Sequence, residues 1–196
     1  MIQRRRLCTW LVLSSLAPRA ARADTVVEGQ RFVAVARVAG QDLRLNGVGL
    51  RAVAWLKGYA AGLYLPRRSG DAAEVMAMPG PQRLQLRMLQ EASSMEFVKA
   101  FDRGVKRNLG EDRLPALAER MQRFDAAIAS LGMVRRGDVV DLDFDPAQGL
   151  LFARNGHRIG DAVPGADFYA ALLSVFIGPK PTDPELKTGL LGGPVS

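Results

Sequence analysis

Apolar residues recur in strand-like blocks between Phe32 and Leu89. They then recur in steps of three and four from Met95 to Leu131, return to strand-like blocks from Val139 to Arg154, and close with a helical pattern from Ala166 to Ile177. Strands and helices are therefore grouped, not alternating. That order implies an α+β fold with a large, mainly antiparallel sheet and helices layered on one face. The 196 residues suffice for one domain with a real core, and no repeat or low-complexity linker divides them.

The blocks can be read individually. Phe32 to Val38 alternates, and a turn at Gly40 leads to Leu43–Leu45. Val53 to Leu65 reads as one long strand, unusual for Gly58, Ala60, Ala61 and Gly62. Glycine inside a strand marks a bulge or a close approach by another backbone or a ligand. Gln82 to Leu89 is a further strand. A helix starts near Ser93 or Ser94, either a good N-cap, and carries Met95, Val98, Phe101, Val105 and Leu109 on one stripe. Leu114, Leu117, Met121, Phe124, Ile128 and Leu131 form the seam of a second helix, ended by Gly132. Val139–Phe144 and Leu150–Arg154 are strands, and Asn155-Gly156 signals a tight hairpin. Ala166–Ile177 is the last helix, stopped by Gly178, Pro179 and Pro181.

Residues 1–23 have the layout of a secretory signal peptide. Arg4, Arg5 and Arg6 precede an apolar run from Leu7 to Leu16, followed by Ala21-Arg22-Ala23 as a small-x-small cleavage site. The run is about half of the roughly 20 residues a spanning helix needs. Cleavage after Ala23 leaves residues 24–196 as the folded domain, in a periplasmic or secreted location. It removes five arginines and no acidic residue, so the formal charge falls from +7 to +2. No basic excess is left to suggest nucleic acid as a partner. The single cysteine, Cys8, leaves with the leader, and with it any disulfide, thiol nucleophile or cysteine metal site.

Few patterns suggest chemistry. His157 is the only histidine and follows a tight turn, where side chains are usually wet. Asp141, Asp143 and Asp145 resemble the start of a calcium loop. The glycine and closing glutamate of that loop are absent, and alternation with Val140, Leu142 and Phe144 places the carboxylates on the solvent face of a strand. Gly47 to Ala52 matches the dinucleotide pattern G-x-G-x-x-A, with Arg67 and Arg68 able to take a 2′-phosphate. The preceding Gln41–Asn46 is too polar for a buried parallel strand, and we expect no cofactor. Arg51 is sharper. Either it forms a partly buried ion pair with a carboxylate of its own chain, or it presents its planar fork to an anionic ligand.

The stretches LNGVGLR and LKGYAAGLYLP, with PGPQRLQLRMLQEASSMEFVKAF, GDVVDLDF and DFYAALLSVFIG, resemble the exported bacterial branch of the chalcone isomerase-like family. The resemblance spans nearly the whole of residues 24–196. It implies an open-faced β-sandwich with a ligand cleft between the large antiparallel sheet and the helices. Some members of that family close a flavanone ring and others bind fatty acids without catalysis. The family's arginine, which meets the ligand's anionic oxygen, matches Arg51. The positions that supply a threonine, a tyrosine, an asparagine and a second threonine in the isomerases match Tyr59, Phe97, Gly104 and Val175 (Ser174 on a shift of one). The arginine is kept and most of the donors are not, which argues against ring closure. The resemblance therefore implies a non-catalytic protein that binds a fatty acid or similar small amphipathic acid, with Arg51, Tyr59 and Phe97 as ligand-binding residues. The alternatives are an isomerase on the same scaffold, or a structural or partner-binding domain with a closed cleft. On a straight strand, Arg51 and Tyr59 would stand roughly 26 Å apart. Joint action on one carboxylate would then need a bend, a bulge at Gly58 or a different start to the strand.

Overall fold

The computed structural model describes residues 24–53 and 56–195. The leader pattern and Trp55 lie outside them. In chain order the strands and helices are β1 (Thr25–Val27), β2 (Gln30–Phe32), β3 (Val35–Val38), β4 (Gln41–Val53), β5 (Leu56–Leu65), α1 (Ala72–Met76), β6 (Gln82–Met88), β7 (Ala92–Ser93), α2 (Ser94–Leu109), α3 (Ala118–Ala129), β8 (Met133–Val134), β9 (Val139–Asp145), β10 (Gly149–Arg154), β11 (His157–Arg158), α4 (Ala166–Ile177) and α5 (Pro184–Leu190). Seven strands form one antiparallel sheet in the order β11-β10-β9-β6-β5-β4-β3. This is the α+β, open-faced architecture that the grouped periodicities imply.

The seams explain the layers. Phe101 and Val105 of α2, Met121, Phe124 and Ile128 of α3, and Phe168, Leu172 and Val175 of α4 join Leu84, Leu86 and Leu142 of the sheet in one buried cluster. Phe101, Phe124, Phe152 and Phe168 meet there at ring-centroid distances of 5.1–6.1 Å, mostly edge to face. A smaller cluster of Phe32, Leu43, Leu45, Ala60 and Tyr64 occupies the other face. The Asn155-Gly156 turn carries positive φ at both residues, 52° and 78°, and joins β10 to β11 as a tight hairpin.

The long strand expected from Val53 to Leu65 is two strands. β4 extends from Gln41 through the whole G-x-G-x-x-A match, and β5 returns beside it, with Val53 paired to Leu56. No helix follows the glycines, so the dinucleotide motif is excluded at this position. Those glycines serve packing. A Cβ on Gly47 would strike the carbonyl oxygen of Gly189, and one on Gly49 would stand 2.5 Å from the carbonyl oxygen of Leu186. Both are bare because α5, which the sequence patterns did not reveal, lies directly on β4. Gly62 is similarly occupied: its Cβ would meet the Phe32 ring at 2.6 Å, on the face away from the helices. The small residues of β4 and β5 therefore admit the chain's own segments, not an acyl chain along the strand.

The aspartates of β9 differ from the wet row that alternation implies. The Arg83 guanidinium donates two bonds of 2.6 Å to Asp143, and Gln85 donates to Asp141 at 2.8 Å. The Asp143 and Asp141 side chains retain only 16% and 13% of their exposure. Among the described residues no helix is long and apolar enough to cross a membrane, and no group of three or more histidine, cysteine or acidic side chains could hold a metal ion.

Candidate functional site

Two irregularities in the β4–β5 ladder set the site. In the first, the register steps from Leu45↔Tyr64 to Gly47↔Leu63, which leaves Asn46 as an extra residue on β4. Alternation flips there. Leu43 and Leu45 pack on the far face, while Gly47, Gly49 and Arg51 turn toward the helices. The buried Asn46 carboxamide fixes the bulge. Its Nδ2 donates to the carbonyl oxygens of Ser69 and Leu190 at 2.9 and 2.8 Å, and its Oδ1 accepts from the Ser69 amide at 2.8 Å.

The second step runs from Arg51↔Tyr59 to Ala52↔Lys57 and leaves Gly58 as the extra residue on β5. Arg51 and Tyr59 are consequently direct partners across the ladder, not residues separated by eight positions of straight strand. Two of the three conditions for their cooperation, a bulge at Gly58 and a different start to the strand, are met.

Arg51 has a partner from the far end of the chain. Its Nη1 donates to Asp183 Oδ2 at 3.1 Å and to the Ala52 carbonyl oxygen at 2.6 Å. The other oxygen of Asp183 accepts from the amides of Glu185 and Leu186 at 2.9 and 3.1 Å, capping α5. One carboxylate thus starts a helix and balances the arginine. Among the described residues, Nη2 and Nε of Arg51 have no hydrogen-bond partner, and the residue borders the outer of the two spaces at this site. The Tyr59 phenol is pushed well above its ordinary range by burial, with Arg51 opposing and Asp183 reinforcing the shift. It is neutral at physiological pH and available as a donor.

Two connected spaces adjoin these groups. The outer one is a chamber of about 650 Å³ bordered by Arg51, Gly58, Tyr59, Phe97, Glu91, Glu96, Arg103 and Arg107. The inner one is an apolar cavity of about 80 Å³ between sheet and helices, lined by side chains that include Leu86, Phe101, Phe124, Leu142, Phe152, Leu172 and Val175. Tyr59, Met88, Phe97, Ala100 and Thr182 border both and form the neck between them. At roughly 10–15 Å³ per water-sized group, the inner cavity holds about five to eight such groups. The Thr182 hydroxyl is buried at this neck without a hydrogen-bond partner, while its amide donates to the Val175 carbonyl oxygen at 2.8 Å. A buried polar atom left unpaired is costly, and this one borders an otherwise apolar space.

The structure brings Arg51, Tyr59 and Phe97 together around the outer chamber. Gly104 and Val175 meet each other: a Cβ on Gly104 would stand 2.6 Å from Val175 Cγ1. Gly104 therefore lets α2 and α4 close up, and Val175 alone of the two lines the inner cavity. Ser174, the alternative to Val175, donates to the Ala171 carbonyl oxygen within α4. Pattern reading did not single out Thr182, Asp183, Arg103 or Arg107. For Asp183 a local signal existed, since Asp followed by Pro is a helix start. Nothing local connects it to Arg51.

The family model described as chalcone isomerase-like matches residues 24–192. No curated protein matches the chain. Among solved structures, a fatty-acid binding protein of Arabidopsis thaliana is similar with a TM-score of 0.66 at 19% identity, over 86% of this chain and 96% of that one. At that identity the likeness establishes the shared fold.

Proposed function

The chain belongs to the chalcone isomerase-like family, and we propose that it is a non-catalytic binder of a fatty acid or similar single-chain amphipathic acid. The observation that carries this reading is the boundary that the two spaces share. A charged chamber bordered by Arg51 adjoins an apolar cavity, and Tyr59, Met88, Phe97, Ala100 and Thr182 border both. About the last five to eight carbons of an acyl tail would enter the inner cavity, the rest would lie in the outer chamber, and the carboxylate would take the remaining donors of Arg51. The fatty-acid binding function of the Arabidopsis protein agrees with this assignment.

Ring closure finds less support. Phe97 offers no hydrogen-bond donor, and Gly104 is consumed in helix packing, so few groups remain to stabilise a developing phenolate. A cleft closed by its own side chains is disfavoured by the open chamber itself. Calorimetric titration with palmitate tests the proposal. Wild type should bind, Arg51→Gln should bind about tenfold or more weakly, and Ala100→Trp, which fills the neck, should abolish binding while the fold persists. Failure of wild type to bind, or equal binding by all three proteins, would reject it.

We further propose that residues 1–23 are removed on export to a periplasmic or extracellular space. The support is the leader pattern together with the start of the family match at residue 24. N-terminal sequencing of the exported protein should begin at Asp24; an unprocessed start at Met1 would refute this.

A further inference from the structure

The outer chamber is far larger than a carboxylate requires, and its charges are unevenly used. Arg51 is engaged by Asp183, and Glu96 by Lys99 at 3.3 Å. Arg103 and Arg107 border the same chamber and have no ion-pair partner among the described residues. They stand four positions apart on α2, so their side chains rise from neighbouring points of one helix face. Like charges in that relation repel, and none of the residues between them on the helix is acidic. Lys106 and Arg107 stand in the last turn of α2 and complement the helix C-terminus, a role that does not extend to Arg103. Glu91 and Glu96 border the chamber at the opposite end of α2. From Glu96 to Arg103 is seven residues, or about 10 Å along the axis. The positive end of the chamber is thus separated from the acidic end and remains uncompensated.

A single carboxylate is neutralised by one guanidinium, whose fork can meet both of its oxygens. Two adjacent forks match a group with more oxygens and more charge, and arginine is well suited to phosphate. Resting on the reading of the cleft as a site for a single-chain amphiphile, we propose that its ligand carries a phosphate head group. Arg103 and Arg107 hold the phosphate in the outer chamber, and the acyl chain passes the Tyr59–Thr182 neck into the inner cavity. Arg103 and Arg107 are then the residues that select the head group, while Ala100, Phe97 and the inner cavity select a single thin chain.

The test titrates three probes below their aggregation limits into the exported chain: 1-palmitoyl lysophosphatidate, palmitate and glycerol 3-phosphate. Wild type should bind lysophosphatidate at least about tenfold more tightly than palmitate, and glycerol 3-phosphate far more weakly than either. Arg103→Gln/Arg107→Gln should erase the advantage of lysophosphatidate while changing palmitate affinity by less than about twofold. Both arginines are exposed, so the variant should keep its melting temperature. As a readout independent of any variant, the ³¹P resonance of bound lysophosphatidate should report a phosphate whose second ionisation is shifted toward lower pH by the two guanidiniums. Palmitate binding as tightly as lysophosphatidate, or a double variant that weakens both equally, overturns the head-group assignment and leaves fatty-acid binding intact. Glycerol 3-phosphate binding as tightly as lysophosphatidate shows a simple phosphate site and overturns the lipid assignment. If neither amphiphile binds wild type, the function proposed for the cleft fails, and this assignment fails with it.

Discussion

Arg51 Nη1 and Asp183 Oδ2 meet at 3.1 Å across 132 positions of chain, and each residue keeps part of its bonding capacity for another task. The aspartate caps α5 with its other oxygen, and the arginine turns its remaining nitrogens to the cleft. The sequence posed a choice between an arginine that supports the fold and one that serves a ligand. The geometry supplies the structural pair and leaves donors for the second role.

The two tasks of Asp183 can be separated. Asparagine is as good an N-cap as aspartate, so Asp183→Asn removes only the charge. The pair is largely shielded, with side-chain exposures of 25% and 11%, and its loss should cost about 1–2 kcal/mol in chemical denaturation. Palmitate affinity should rise, because the ligand no longer competes with an internal carboxylate. Asp183→Ala should cost about 1 kcal/mol more through loss of the cap. Equal stability of the two variants would mean that the cap contributes nothing, and weaker palmitate binding by Asp183→Asn would mean that the carboxylate positions Arg51 instead of competing for it.

Gly104→Ala tests the α2–α4 contact. Overpacking typically costs about 1–3 kcal/mol, against a helix-propensity gain of nearly 1 kcal/mol. The collision with Val175 Cγ1 at 2.6 Å should make the net change a loss of about 1–2 kcal/mol. In a Val175→Ala background the two methyls are gone and the nearest Val175 atom left is Cβ at 3.1 Å, so the same substitution should cost markedly less. A loss of similar size in both backgrounds would show that Gly104 is required for a reason other than this contact.

The three tyrosines give a pH signature. Burial is the leading cause that raises all of them: Tyr64 to about 12, with Arg87 and Arg83 opposing, and Tyr59 and Tyr169 beyond that range. In the unfolded chain they ionise near 10.0. Above that pH the unfolded state binds fewer protons than the native state, so stability falls as pH rises between about 10 and 12. Tyrosinate absorbance should stay near zero through pH 10–11 and then appear together with loss of structure. A smooth titration centred near pH 10 in folded protein would contradict the burial of these rings.

Much of the fold was legible because its signals are local. The α3 seam, the Asn155-Gly156 turn, the Ser93 cap of α2 and the bounds of α4 each depend on residues a few positions apart. The reversal between β4 and β5 was hidden: Val53-Ala54-Trp55-Leu56 contains no glycine, proline, asparagine or aspartate, and an unbroken apolar run reads as one strand. The site was legible in its members more than in its arrangement. Arg51 stood out in the sequence itself, and Tyr59 and Phe97 came from a family resemblance, whereas their apposition depends on the two bulges. Asp183 and Thr182 depend on a contact across the whole domain. The glycines were informative about crowding, but a sequence does not say whether a vacancy is filled by the chain or by a guest, and at Gly47, Gly49 and Gly62 the chain fills it.

The seat of α5 on β4 has a consequence for the order in which the protein is made. Arg51 leaves the ribosome 132 positions before Asp183. At about 5–20 residues per second that is a delay on the order of ten seconds. Throughout it, the bare strip at Gly47 and Gly49 has no helix against it and Arg51 has no counter-ion. Neither the neck at Thr182 nor the charge balance of the cleft exists in a nascent chain, however well its sheet has formed. On the function proposed above, ligand capture would await the finished molecule, and an unfinished chain would not be trapped around a lipid.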